Sequence, residues 1–223
     1  LLGGEERGEL LTERVAQLSD ELTSLAAEIG VGRRKAATRF SELVLVELAA
    51  LAMPHARLSF EVASADLGPS GADHVDLMFA ANPGNELRSL GRVASGGELS
   101  RVRLALEVVL AADREAVTLV FDEIDAGVGG KVAVEVGRRL ARLSLHTQVV
   151  VVTHLAQVAA FADRHYVVVK ADDGQVTTSG VVFVAEEDRA VELARMMAGL
   201  ETTESAVAHA SELVELAAAT RRH

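Results

Sequence analysis

Hydrophobic positions follow different periods in successive stretches of the chain. Near the start, Leu11, Val15, Leu18, Leu22, Leu25 and Ile29 recur at intervals of 4, 3, 4, 3 and 4, with acids and arginines between them. An apolar seam every 3.5 residues is the pattern of a coiled-coil helix; spacing alone leaves equally open an amphipathic helix lying on a globular core. Gly30-Val31-Gly32 is expected to break this helix. A second helical stripe, Ala37, Phe40, Val44, Leu48 and Leu51, is expected to stop at Pro54.

From Arg57 the period shortens to two. Leu58-Ser59-Phe60-Glu61-Val62 alternates as a half-buried strand does, and Val75-Asp76-Leu77-Met78-Phe79 is its expected partner across a loop at Gly68-Pro69-Ser70-Gly71. A turn at Asn82-Pro83-Gly84-Asn85 follows. Beyond it the pattern predicts a helix over 95–112, a strand over 117–121, a helix over 130–143, a strand over 148–152, a helix after His154 and a strand over 166–170. Apolar strands alternating with helices of this length predict an α/β fold with a mainly parallel sheet and flanking helices. Gln175 to Val184 reads as an added edge hairpin, and the chain from Glu186 as two acidic amphipathic helices. The expected division is a first helix over 1–30, a second over 31–56 and an α/β region over 57–223.

Composition narrows the classes. With 223 residues and 49% hydrophobic, the chain can bury the core of one large domain. A net charge of −11 argues against a broad binder of phosphate backbones, whose surfaces are basic. Arg33-Arg34-Lys35 with Arg39, and Arg138-Arg139 with Arg142, lack interleaved aromatics and read as solvated helix faces. The longest apolar stretch, Leu43 to Met53, is interrupted by Glu47 and falls short of the ~20 residues of a membrane span. The absence of cysteine excludes disulfides and thiolate metal sites, and a soluble, cytoplasmic protein is expected. The first residue is not Met, so the chain is read as a processed or excised piece.

Three motifs could carry chemistry. Ser95-Gly96-Gly97-Glu98 has the form of a capping box, a common helix start. A capping box does not explain two glycines in the first turn, each up to about 1 kcal/mol worse than alanine in a helix. They make sense where the backbone must approach something closely, and a helix N-terminus suits phosphate. Val117 to Phe121 followed by Asp122-Glu123 has the form of a Walker B strand. There the Asp can hold Mg²⁺ and the Glu can deprotonate an attacking water; a core strand ending in two solvated acids is the plain alternative. Thr153-His154 closes a second apolar strand, where a lone histidine is more often structural. No G-x-x-x-x-G-K-[ST] loop occurs; Gly129-Gly130-Lys131 is followed by Val132 and preceded at the required place by Asp125.

Signature-like turn, helix, strand ending Asp-Glu, helix, strand ending His is the chain order of an ABC-type ATPase. Three stretches, Val93 to Arg101, Phe121 to Gly129 and Thr153 to Ala159, closely resemble the RecN family of SMC-like ATPases in bacterial DNA repair. Ala194-Arg195-Met196-Met197-Ala198-Gly199 and Ala208 to Leu213 resemble that family's C-terminal segment. Ala94 stands where the common ABC signature opens with Leu, and Glu98 where transporters have Gln; both choices look RecN-like.

The resemblance implies the C-terminal half of an ABC/SMC-type ATPase head, with the root of its coiled-coil arm. Asp122 would hold Mg²⁺ through water, Glu123 would be the general base, and His154 would meet the γ-phosphate of ATP on its own head. Ser95, Gly96, Gly97 and Glu98 would face ATP on the opposite head, and Asp125 would sit across the dimer interface. The implied partners are an N-terminal Walker A half of the same protein, a second head in a homodimer, and DNA through the full-length protein, in the cytoplasm at the nucleoid and without a membrane. Two rivals remain: the same half of another SMC or ABC ATPase, and a non-catalytic interaction lobe.

Overall fold

A computed structural model describes residues 3–92, 96–111, 117–172, 177–199 and 203–221. Packing divides the chain into two compact units, one formed by residues 1–46 and 55–93 and the other by 47–54 and 94–223.

In the first unit, helix α1 (Gly4–Ala50) supplies all but its last residues. It runs through Gly30 and Gly32 without interruption, against the expected break. Gly30 has a packing role: a Cβ there would lie 3.0 Å from Oδ2 and 3.1 Å from Oδ1 of Asp73. The Asp73 carboxylate is held in place by Arg33, whose Nη1 donates to its Oδ2 at 3.2 Å and whose Nη2 donates to the Ser70 carbonyl at 2.6 Å. Those contacts offset the poor helix propensity of glycine, which the sequence pattern registers as a stop. The heptad-like residues on the N-terminal part of α1 are solvent-exposed, Leu11 at 60% and Val15 at 66%. Strands β1 (Arg57–Gly68) and β2 (Gly71–Ala80) form an antiparallel hairpin in the expected register, with Phe60 opposite Leu77. The two-residue strand β3 (Arg88–Ser89) pairs with the end of β2. Phe40 of α1 meets Phe60 of β1 with ring centroids 5.6 Å apart.

The C-terminal end of α1 closes as a Schellman-type cap, with Met53 N–H bonded to the Leu48 carbonyl at 2.9 Å and Ala52 in the left-handed region at φ 63°. Pro54 follows it.

The second unit carries the α/β architecture. Helix α2 (Gly96–Leu110) precedes strand β4 (Thr118–Phe121); helix α3 (Gly130–Leu143) leads to strand β5 (Gln148–Val151). β4 and β5 pair in parallel, Val120 opposite Val150. Alternation along β4 puts Leu119 and Phe121 in the core, and Arg103 of α2 lies over the Phe121 ring at 5.7 Å. Helix α3 buries Ala133, Val136, Gly137, Leu140 and Leu143, one stripe at helical spacing. The short helix α4 (Ala156–Ala159) packs with α5 (Arg189–Ala198) and α6 (Glu204–Arg221) in a cluster of Phe161, Leu193, Leu213 and alanines. Arg189, 5% exposed, donates from Nη2 to the carbonyls of Ala159, Ala160 and Ala162, closing the C-terminal end of α4.

Among the described residues, parallel pairing is confined to β4 and β5. Strand β6 (His165–Asp172), expected in that sheet, pairs antiparallel with β7 (Thr177–Val184) instead. An apolar run specifies a strand but not its neighbour, and the short connection to β7 favours a hairpin.

Candidate functional site

Strands β4 and β5 end side by side, so their C-terminal edge gathers Asp122-Glu123 from one and Thr153-His154 from the other. The last rung, Val152 N–H to the Phe121 carbonyl at 3.0 Å, fixes that alignment. Ligand sites of α/β folds lie at this edge. The loop after β4 is compact. Glu123 N–H donates to Asp122 Oδ1 at 2.9 Å, and Ala126 N–H bonds back to the Glu123 carbonyl at 3.1 Å. Glu123 itself sits at φ 57°, a left-handed conformation that an L side chain adopts at a cost of roughly 1–2 kcal/mol. Both acids are exposed.

The start of α2 packs on this loop. A Cβ on Gly96 would fall 2.5 Å from Glu123 Oε2, and one on Gly97 would fall 2.9 Å from the Ala126 Cβ and 3.2 Å from its carbonyl oxygen. Close approach therefore explains the paired glycines, and within this chain the thing approached is the loop itself. Two residues beyond the expected motif lock the packing: Ser100 Oγ donates to the Asp122 carbonyl at 2.9 Å, and Arg101 Nη1 to the Ala126 carbonyl at 2.9 Å. Arg101 is 8% exposed; burial lowers its guanidinium below its ordinary range, and the nearby Glu98 carboxylate works in the other direction. Both lie in the stretch Val93 to Arg101 that carries the family resemblance, but no role is expected for either from the sequence. Ser95 lies outside the described residues.

Asp125 is buried and turned toward its own chain. Its Oδ2 accepts from Thr153 Oγ1 at 2.5 Å and from His154 N–H at 3.0 Å, and lies 3.0 Å from His154 Nδ1. Thr153 Oγ1 in turn accepts from Leu155 N–H at 3.1 Å. The His154 ring is 73% exposed. Of the candidate residues, the structure thus brings together Gly96, Gly97, Asp122, Glu123, Asp125 and His154, with Glu98 half-buried on the first turn of α2.

The basic clusters are accounted for differently. Arg139 pairs with Glu47 at 2.9 Å and with Glu135, Arg142 lies 3.5 Å from Glu47, and Arg33 pairs with Asp73, while Arg34, Lys35 and Arg39 are exposed.

No protein-family model matches the chain. It is 54% identical over 217 residues to the DNA repair protein RecN of Streptomyces coelicolor, a match covering 92% of this chain and 38% of that protein. To RecN of Deinococcus radiodurans it is 44% identical over 201 residues, covering 90% of this chain and 35% of that one. The chain belongs to the RecN family. It is homologous to the C-terminal part of RecN and spans 38% and 35% of the length of these two relatives. The Smc head domain with a coiled coil and joint from Pyrococcus yayanosii matches it at TM-score 0.52 and 22% identity, over 85% of this chain and 36% of that one. That likeness shows the fold, an SMC-type head lobe with a parallel sheet and flanking helices. Among the described residues no helix is long and apolar enough to cross a membrane.

Proposed function

We propose that this chain is the C-terminal half of a RecN ATPase head, which hydrolyses ATP at a head–head interface and drives a DNA clamp in double-strand-break repair. The observation that carries the reading is the single sheet edge on which Asp122, Glu123 and His154 meet, with the first turn of α2 seated on the same loop. Asp122 suits Mg²⁺, a hard cation that commonly takes one or two carboxylates, waters and substrate phosphates. Among the described residues no cluster of three or more His, Cys, Asp or Glu forms a metal cage, so a lone carboxylate shared with nucleotide phosphates is the fitting mode. Bound there, Mg²⁺ would neutralise charge on the phosphates. Glu123 takes a proton from the attacking water, and His154 presents its ring to the γ-phosphate. Ser95, Gly96, Gly97 and Glu98 serve the nucleotide of the opposite head, where the positive end of the helix dipole suits a phosphate.

An N-terminal segment carrying the phosphate loop is the proposed partner. Parallel sheets are normally covered on both faces, yet Val120, Val150 and Val152 are 53%, 44% and 59% exposed. Tyr166 and Phe183, paired across β6 and β7, are 52% and 56% exposed. These bare surfaces also favour a second reading, an interaction lobe that turns over nothing itself.

The test is steady-state ATP hydrolysis by the chain alone and mixed with a separately expressed RecN N-terminal half. Turnover in the mixture, reduced about 10²–10⁴-fold by Glu123→Gln with complex formation intact, is the expected result. No turnover from a stable complex would leave the interaction lobe.

A further inference from the structure

A buried carboxylate needs partners, because removing it from water without hydrogen bonds is costly. The Asp125 side chain, 4% exposed, spends one oxygen on three groups of the neighbouring strand end: the Thr153 hydroxyl, the His154 main-chain N–H and the His154 ring at Nδ1. Two hydrogen bonds suffice to staple the 153–155 turn. Beyond them, the same oxygen lies 3.0 Å from Nδ1 of a histidine side chain that is otherwise 73% exposed. When Nδ1 is engaged by a carboxylate, the proton on a neutral imidazole sits at Nδ1, and Nε2 on the far side of the ring is left to meet a ligand.

We infer that Asp125 is the positioning residue of His154. It fixes both the ring plane and the division of roles between the two nitrogens, so that Nε2 is the atom offered at the sheet edge. This rests on the ATPase-head reading for what Nε2 meets, but the ring geometry stands apart from it. Thr153 is a brace: its hydroxyl accepts from Leu155 N–H and donates to Asp125, which orients the carboxylate without touching the ring. A staple would treat Thr153 and the ring contact alike, whereas a positioning residue does not.

Imidazole ¹⁵N resonances of this chain separate the two roles. They are read at alkaline pH. His154→Gln identifies the His154 signals among those of the 7 histidines. The expected wild-type result is one tautomer with the proton on Nδ1. Asp125→Ala should release the ring to exchange between tautomers, while Thr153→Val should leave the Nδ1–H form in place. A wild-type ring protonated at Nε2, or averaging between the nitrogens, overturns the proposal even if Asp125→Ala does not fold. So does a Thr153→Val ring that averages as the alanine variant does. In the reassembled head, Asp125→Ala should lower kcat about 10²-fold, the scale of letting a site group swing out of its working position, with KM for ATP nearly unchanged. An unchanged kcat refutes the positioning role. A wild-type head that hydrolyses nothing would instead sink the ATPase reading, and the nitrogen spectra would still decide the geometry.

Discussion

Replacing Glu123 by glycine should stabilise the fold relative to replacing it by alanine, although both substitutions remove the same carboxylate. At φ 57° the residue occupies the left-handed region, which costs an L side chain roughly 1–2 kcal/mol and glycine almost nothing. Glycine also loosens the unfolded chain, which returns about 0.5–1 kcal/mol to the unfolded side. The net expectation is that Glu123→Gly is more stable than Glu123→Ala by about 0.5–1 kcal/mol. In a chain of this size that is a melting difference of about 1–4 °C. Ala52 supplies the calibration, since it sits at φ 63° in the cap of α1, away from the proposed chemistry. Ala52→Gly should gain a similar amount. Urea unfolding midpoints of the variants, with ATP turnover in the reassembled head, make the comparison. If Ala52→Gly gains and the glycine variant at 123 does not exceed the alanine one, backbone strain at the proposed base is refuted. If both gain while turnover is lost at 123, the site holds strain that the rest of the fold sustains.

Other substitutions probe packing and protonation. Gly137→Ala drives a Cβ into Phe161 Cδ2, 3.0 Å from Phe161 Cγ and 3.1 Å from the Gln157 carbonyl oxygen. Overpacking of about 1–3 kcal/mol should therefore exceed the ~1 kcal/mol gain in helix propensity and lower the unfolding midpoint. Gly32→Ala, with nothing within 4 Å of the new Cβ, should raise stability by up to about 1 kcal/mol, and a lower midpoint would contradict the uninterrupted α1. His165 has its pKa lowered, chiefly by burial, with Arg189 and Arg195 adding to the shift and Glu192 opposing it. Its buried Nδ1 has no hydrogen-bond partner. As pH falls through the ordinary histidine value of ~6.5, the unfolded chain takes up the proton first. Stability should decline from there down to the lowered folded value, and His165→Phe should flatten that part of an unfolding-versus-pH curve.

Periodicity located what one element decides alone. Helix α3 was expected over 130–143 and runs from Gly130 to Leu143, because its apolar stripe and the two glycines before it are local signals. The β1–β2 register was equally legible from alternation around a Gly-Pro-Ser-Gly turn. Features set by partners distant in sequence were not. Nothing near Gly30 announces that Asp73 will fill the space beside it. The apolar character of Tyr166 to Val169 fits a parallel strand as well as the hairpin strand it is. The helices after Glu186 read as acidic and amphipathic, which conceals an arginine buried to cap α4. At the site, strand-end acids and histidine were readable because motif and order coincide. The Asp125 contact with His154 Nδ1 was not, since it depends on two loops meeting across parallel strands.

The seating of α2 on the loop after β4 also limits how this sequence can change over generations. Residues 97 and 126 share one volume, so a larger residue at 97 requires a smaller one at 126. The exchange is lopsided. Shrinking Ala126 removes its Cβ but leaves its carbonyl oxygen, which would still lie 3.2 Å from a Cβ at 97. Position 126 can therefore drift toward glycine unaided, while position 97 has no comparable first step. Descendant sequences that alter this junction have a one-way route into it, and it starts on the loop.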